Sequence, residues 1–488
     1  MGSASFIDAN TLRSNFSTAM SVLYRSEVPL YGDLVKIVQD VNASTLQECY
    51  GLDAPMTSTT AIRASSQRLT LERHGAIRLG TPYELQTVKR IFTVFGMHPV
   101  GYYDLSVAGL PMHATCFRPI DTSSLDQNPF RIFTTLLRPE LLASEDARKL
   151  SLALLAKRNI FSDKLLELLA AAEVQGGKLT HVQAEVFITQ ALLTFSWRPV
   201  AVSSFSQYNV LRAEHPILAD IACFQTAHIN HLTPRTLDIS AVQEAMQKAG
   251  MEVKSRIEGP PPRKCPILLR QTSFLALEEP VKFPRDETIN RTHGSSSTDA
   301  GLVQAKHKAR FGEIEERGAA VTPKGRDLYD KLLCKSMEKA SHLSPKEVDA
   351  IVADTFKRYP DDWTQLRKQG LVYNEFRVAK KPSHKPVKQP TQESLLEQLI
   401  SDGTVEASPI TYEDFLPFSA AGIFQSNLQS KVGDNPSLDL QDSCSDKQGF
   451  EASMQGSVVD ADEWYAQAQE RSLDVVCFEL GLTKEEII

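Results

Sequence analysis

Cysteine is scarce and unpatterned in this chain: seven among 488 residues, with no Cys-x-x-Cys pair. That excludes a zinc ribbon and a disulfide-stapled secreted scaffold, and it fits a reducing compartment. Long apolar runs are missing too, so no membrane-spanning helix is expected. There is no basic surplus: 53 Lys and Arg stand against 60 Asp and Glu, a net charge of -7. Nothing in that balance draws nucleic-acid phosphates or an anionic membrane surface. The Lys/Pro-rich stretch RVAKKPSHKPVKQPTQ has no aromatics between its charges, which a single-strand binder would use for stacking. The opening MGSASFIDANTLRSNFS shows neither a basic segment followed by an apolar one nor an Arg-rich amphipathic leader, so the expected location is the cytoplasm. The expected partners are therefore small molecules, with no nucleic acid and no membrane; the oligomeric state is not legible.

With 42% hydrophobic and 23% charged residues, the chain has the composition of a globular protein large enough for several sub-domains. Residues 1–141 begin with apolar residues at helical spacing. They continue as a strand in RLTLERHGAIRLGTP, a helix in YELQTVKRIFTVFGM, and strands in YYDLSVAGLPMHATCFRPI and FRIFTTLLRPELL. Residues 142–197 turn Leu- and Ala-rich at helical period and read as a helical insertion. Over 198–335 the strand–helix–strand order returns: AHINHLTPRTLDI, SAVQEAMQKAGM, ILLRQTSFLALEEPVKF and ARFGEIEERGAAVTPKG. Residues 336–488 form a helical and mixed C-terminal region. Polar insertions are expected at about 284–308 and about 431–457. The fold class is α+β, with two βαβββ-like modules suggesting internal duplication.

HINHLTPRTLDI places His228 and His231 three residues apart. On a helix both would share a face; on a strand they point to opposite sides. Pro234 and the β-branched content favour a strand, so only one imidazole enters any shared cavity. The same period of two puts His74 and Arg78 on one face of RHGAIRLG. It aligns Thr233 and Arg235 with His231, and gathers Glu313, Glu315 and Arg317 on one face of EIEER. Two imidazoles and a carboxylate from separate strands form a facial triad with open positions, the arrangement of non-heme Fe(II) oxygenases. An arginine beside it can clamp a carboxylate substrate. Spacing alone leaves open a bland reading in which these histidines are packed or exposed and the glutamates line a solvated strand edge.

At ERHGAIRLGTPYEL, HINHLTPRTLDI, ARFGEIEERGAAVTPKGRDLYD and YEDFLPFSAAGIFQSNL the sequence resembles the 2-oxoadipate dioxygenase/decarboxylase family, the 2-hydroxyglutarate synthases, a branch of the vicinal-oxygen-chelate superfamily. The blocks lie in family order across nearly the whole chain. The resemblance implies paired βαβββ modules forming a curved, barrel-like central sheet around a metal site, with the C-terminal region contributing to the substrate pocket. It implies Fe(II) held by His74, His231 and Glu313, and makes Arg78 the catalytic, substrate-contacting arginine. Phe418 and Ser419 correspond to the pair that closes over the substrate. Bacterial members carry valine where this chain has Phe418, and the larger ring narrows the pocket. His228, Glu315 and Arg317 are expected in supporting roles. The implied reaction takes 2-oxoadipate and O2 to 2-hydroxyglutarate and CO2, with lysine breakdown as its setting. It needs no separate reductant because the substrate supplies the electrons. The alternatives are a metal-dependent enzyme of the same superfamily acting on another 2-oxo acid, and a non-catalytic interaction protein retaining the fold.

Overall fold

A computed structural model describes residues 5–50, 68–285, 302–308, 310–339, 343–382, 384–389, 393–416 and 445–488. Among these, the chain divides into two units. The first comprises Met1–Glu258, Gln271–Glu316 and Phe415–Val459; the second comprises Gly259–Arg270, Arg317–Asp414 and Asp460–Ile488.

The first unit is built around β1 (Arg73–Leu79), β2 (His98–Asp104), β3 (Met112–Arg118), β4 (Arg131–Leu137) and β5 (Leu232–Pro234), in the sheet order β2-β3-β4-β1-β5. β1 runs parallel to β4 and antiparallel to β5, and its register sets His74 between Arg131 and Thr233. The helix joining β1 to β2, Pro82–Val94, starts where its sequence provides for it: Thr81 accepts from the Glu84 amide, and Pro82 fills the first turn. Its buried stripe of Leu85, Val88, Ile91 and Phe92 shares one core with Ile77, Leu79 and Phe117. Burying four such side chains contributes roughly 1.5–3 kcal/mol each before the entropy of ordering is counted. This half is a βαβββ unit, as its strand and helix patterns predict. Helices at Glu145–Leu155, Asp163–Val174 and His181–Phe195 follow, capped by Ser144, Ser162 and Thr180.

The second half departs from the expected repeat. β5 spans three residues rather than the whole of AHINHLTPRTLDI, and it ends at Pro234, which has no N–H to continue the ladder. The helix Ile239–Lys248 follows, and then β6 (Leu269–Ser273), β7 (Glu278–Pro284), β8 (Leu302–Lys308) and β9 (Glu313–Arg317). β7 and β8 form one two-stranded sheet, with a parallel bridge from Lys282 to Val200, while β6 pairs with β9. Residues 302–308, within the stretch expected to be a polar insertion, thus form a strand. One parallel bridge, Arg235 to Glu315, links the β5 end to β9. The barrel-like closure implied by the resemblance is not formed: among the described residues the five-stranded sheet and the β6-β9 pair stay open.

Three backbone bonds bring the site strands together: Asn230 N donates to Ala76 O at 3.0 Å, Phe311 N donates to Asn230 O at 3.1 Å, and Thr236 N donates to Glu315 O at 2.7 Å. The buried Tyr24 hydroxyl, on the Ala9–Glu27 helix, lies 2.9 Å from Asn230 O and 2.7 Å from Phe311 O. One side chain therefore braces the approaches to both His231 and Glu313.

The second unit packs the antiparallel pair of β10 (Asn374–Val378) and β11 (Val405–Pro409) with the helices Leu395–Ser401 and Ala461–Leu480 around Phe376, Leu399, Val405, Val476 and Leu480. Among the described residues, no helix is long and apolar enough to cross a membrane.

Candidate metal centre

His74 on β1, His231 just before β5 and Glu313 at the start of β9 come together with ligand atoms within 4.8 Å of one another, all three residues buried. His74 Nε2 is 3.0 Å from Glu313 Oε1, and His231 Nε2 is 3.7 Å from the same oxygen. The two imidazoles meet edge to face, with ring centroids 5.3 Å apart. His231 Nδ1 and Glu313 Oε2 are buried with no hydrogen-bond partner among the described residues. Buried polar atoms left in this state are costly unless a further group satisfies them, and a divalent cation suits this donor set.

Neighbouring side chains fix the orientation of the three. Glu315 Oε2 lies 2.8 Å from His74 Nδ1. Nδ1–H donating to that carboxylate leaves the Nε2 lone pair facing the cluster, the usual arrangement behind a metal-binding histidine. Glu313 Oε1 accepts from Thr233 Oγ1 at 3.2 Å and from Gln271 Nε2 at 3.0 Å. Behind them, Arg131 Nη2 pairs with Glu72 at 2.9 Å and Arg131 Nη1 lies 3.9 Å from Glu315 Oε1. The Phe415 ring stands edge-on to His74 at 5.0 Å and packs on Phe133 at 5.1 Å, giving the cluster an apolar wall.

The electrostatics divide the two histidines. Burial works against the His74 imidazolium, but Glu315 and Glu313 outweigh it and raise the His74 pKa. For His231, burial prevails over the attraction of Glu313, and with the positive charges of His74, Arg78 and Lys254 it takes the pKa down to about 4. Burial would raise the Glu313 pKa, yet His231, His74 and Lys254 hold it below the usual range. At neutral pH the centre thus offers a neutral His231 and an ionised Glu313. Protons and a cation compete for the His74 imidazole, so cation affinity falls as the pH is lowered.

Arg78 lies four residues along β1 from His74, on the same face by strand periodicity, and its Nη1 donates to Asp220 Oδ2 at 2.5 Å. His228 does not join His231; its Nε2 is 3.2 Å from Asp220 Oδ1, in a second buried group with His307. Glu315 supports His74, while Arg317 donates through Nη1 to the backbone carbonyls of Tyr412 and Asp414 at 2.9 and 3.0 Å. Phe418 and Ser419 lie outside the described residues. Sequence reasoning missed Gln271, Asp220 and His307. Gln271 alternates like any strand residue, and its role depends on β6 pairing with β9, which no local pattern announces.

Fold and cluster together define a mixed α+β chain with a buried two-histidine, one-carboxylate group suited to a metal ion. Residues 16–427 match the 2-oxoadipate dioxygenase/decarboxylase family. The chain is 44% identical over 474 residues to the 2-oxoadipate dioxygenase/decarboxylase of Shigella flexneri, covering 96% of this chain and 98% of that protein. It is also 44% identical over 486 residues to the enzyme of that name from Pseudomonas putida, with 98% of each chain covered. The crystal structure of hydroxyglutarate synthase from Pseudomonas putida in complex with 2-oxoadipate superposes with a TM-score of 0.82 at 40% identity, over 98% of this chain and 100% of that one. The chain belongs to the 2-oxoadipate dioxygenase/decarboxylase family.

Proposed function

We propose that this chain is a non-heme Fe(II)-dependent dioxygenase/decarboxylase that converts 2-oxoadipate and O2 to 2-hydroxyglutarate and CO2, acting in the cytoplasm in lysine breakdown. The observation that carries the reading is the gathering of His74, His231 and Glu313 from separate elements into one buried group, in a chain of this family. In this reading those three residues would hold the ion, two neutral imidazoles binding it and one carboxylate offsetting part of its charge. The ferrous ion, when bound, supplies the Lewis acid for the 2-oxo carboxylate and the means of activating O2.

The chain's own residues supply the rest. Glu315 keeps the His74 proton on Nδ1, so that Nε2 remains a donor to the ion. Thr233 and Gln271 hold Glu313 Oε1 and limit rotation of the carboxylate. Arg78 binds and orients a substrate carboxylate, and Phe418 and Ser419 are the C-terminal pair that the family resemblance assigns to substrate binding. Phe415 and Phe133 exclude water from the His74 flank. The overall reaction balances without a co-substrate: loss of one carbon as CO2 and uptake of both atoms of O2 turn the six-carbon 2-oxo diacid into the five-carbon 2-hydroxy diacid.

The test is to load the protein anaerobically with Fe(II), add 2-oxoadipate and then O2, and measure O2 uptake and CO2 release. One CO2 per O2, with 2-hydroxyglutarate as product, is expected. Turnover confined to a different 2-oxo acid would refute the substrate assignment while sparing the chemistry.

A further inference from the structure

Behind Arg78 lies a buried polar chain that the proposed reaction does not use. Asp220 sits on the short helix Pro216–Ala222, is 5% exposed, and receives Arg78 Nη1 on Oδ2 at 2.5 Å. Its other oxygen, Oδ1, is 2.9 Å from His307 Nε2 and 3.2 Å from His228 Nε2. Asn230 Nδ2 adds a long contact to Oδ2 at 3.5 Å. His307, on β8, has its second nitrogen, Nδ1, 3.0 Å from the buried hydroxyl of Tyr208. Trp197 and Phe224 enclose the group, with Trp197 edge-on to His228 at 4.6 Å and Phe224 4.7 Å from the His307 ring.

The hydrogen positions in this chain are mutually consistent. Tyr208 O–H donates to His307 Nδ1, His307 Nε2–H donates to Asp220 Oδ1, and Arg78 donates to Asp220 Oδ2. Each member fixes the next, so the carboxylate is held at both oxygens. A guanidinium is planar, with its five N–H donors in a rigid fork, and anchoring one nitrogen to a fixed carboxylate sets the direction of that plane. A metal ion is a poorer occupant for this group. It would add two positive charges beside Arg78, with Asp220 the one carboxylate in the group to offset them, and it would require His307 Nε2 to leave Asp220.

We propose that Asp220, held by His307 and Tyr208, is the positioning residue for Arg78, and that this buried chain sets the alignment of the guanidinium toward the substrate carboxylate. The inference rests on the reading of Arg78 as a substrate-binding residue. It assigns a role to β8 and to the helix carrying Asp220, neither of which contributes to the metal group.

The test compares Asp220→Asn, Tyr208→Phe, Arg78→Ala and the double variants with Arg78→Ala. The readouts are KM and kcat for 2-oxoadipate, bound iron per chain, and thermal stability. Asp220→Asn is expected to raise KM about tenfold, the scale of a lost hydrogen bond to a charged group, with iron content unchanged. Tyr208→Phe removes one hydroxyl and should raise KM by a smaller factor; it carries the test if Asp220→Asn does not fold. In the Arg78→Ala background neither change should raise KM further, because the residue they act through is gone. Multiplicative effects in the double variants, with Arg78→Ala itself raising KM, would overturn the positioning role alone. An unchanged KM in Arg78→Ala would overturn both that role and the substrate-binding reading of Arg78. A second metal equivalent in the unaltered protein, lost in Asp220→Asn, would also overturn the proposal.

Discussion

At His74 both ring nitrogens face carboxylates, Glu315 at 2.8 Å on Nδ1 and Glu313 at 3.0 Å on Nε2. The two contacts differ in consequence. Glu313 shares its oxygen with Thr233 and Gln271 and faces His231, whereas Glu315 faces Arg131 and holds the outer nitrogen. Glu315→Gln keeps an acceptor for Nδ1–H but loses the charge that makes the imidazole a better donor. Iron affinity is therefore expected to fall roughly 10- to 100-fold, with turnover largely restored at saturating Fe(II). Anaerobic titration against a competing chelator measures the first and steady-state assays the second; unchanged affinity would remove Glu315 from the account. Glu313 and Glu315 also show how far periodicity reaches. A period of two placed both on one face of β9, and the division of labour between them became visible only with the position of His74.

At the scale of the strand, β1 depends on a residue with no side chain. A Cβ built on Gly75 would lie 2.5 Å from Ile229 Cδ1, 3.1 Å from the carbonyl oxygen of His231 and 3.2 Å from Ile132 Cδ1. The absent side chain thus lets the segment carrying His231 run against the strand carrying His74. Gly75→Val is expected to cost roughly 1–3 kcal/mol through overpacking and to weaken iron binding without removing a ligand; Gly75→Ala should do less of both. Thermal melts and iron titration of the two variants check this, and a Gly75→Val protein with normal iron affinity would contradict it. Strand parity in HINHLTPRTLDI predicts His228 and His231 on opposite sides; the two lie in different buried groups, and only Leu232–Pro234 is a strand. Asp220 and His307 were out of reach: one sits on a helix of ordinary composition, and the other on a strand inside a stretch polar enough to read as an insertion. Their meeting is set by tertiary packing, which local pattern does not encode.

For the molecule as a whole, the first βαβββ unit was legible because each element carries its own period and stops. The second was legible only in element order, since β5 joins the first sheet and β6 to β9 divide between two small ones. The fold also stores a pH dependence. Burial, reinforced by Arg78, takes the His215 pKa down to about 4, and the neutral ring accepts the Ile217 amide through Nδ1 at 3.1 Å as a helix cap. With the folded value below the unfolded one of about 6.5, the unfolded chain binds more protons between the two. Stability therefore falls as the pH drops from about 6.5 toward 4, by at most about 1.4 kcal/mol per pH unit for this residue. His215→Asn keeps a capping oxygen without the titration and should flatten the slope of melting temperature against pH over that window. An unaltered slope would contradict the assignment.

The central claim is that one ion sits among His74, His231 and Glu313. Anomalous diffraction at the iron edge, from crystals loaded anaerobically with Fe(II) and 2-oxoadipate, tests it most directly. The expected result is a single peak within bonding distance of both imidazoles and the Glu313 carboxylate, with the 2-oxo acid beside it. A peak at Asp220, His228 and His307, or none at His74, would contradict the account.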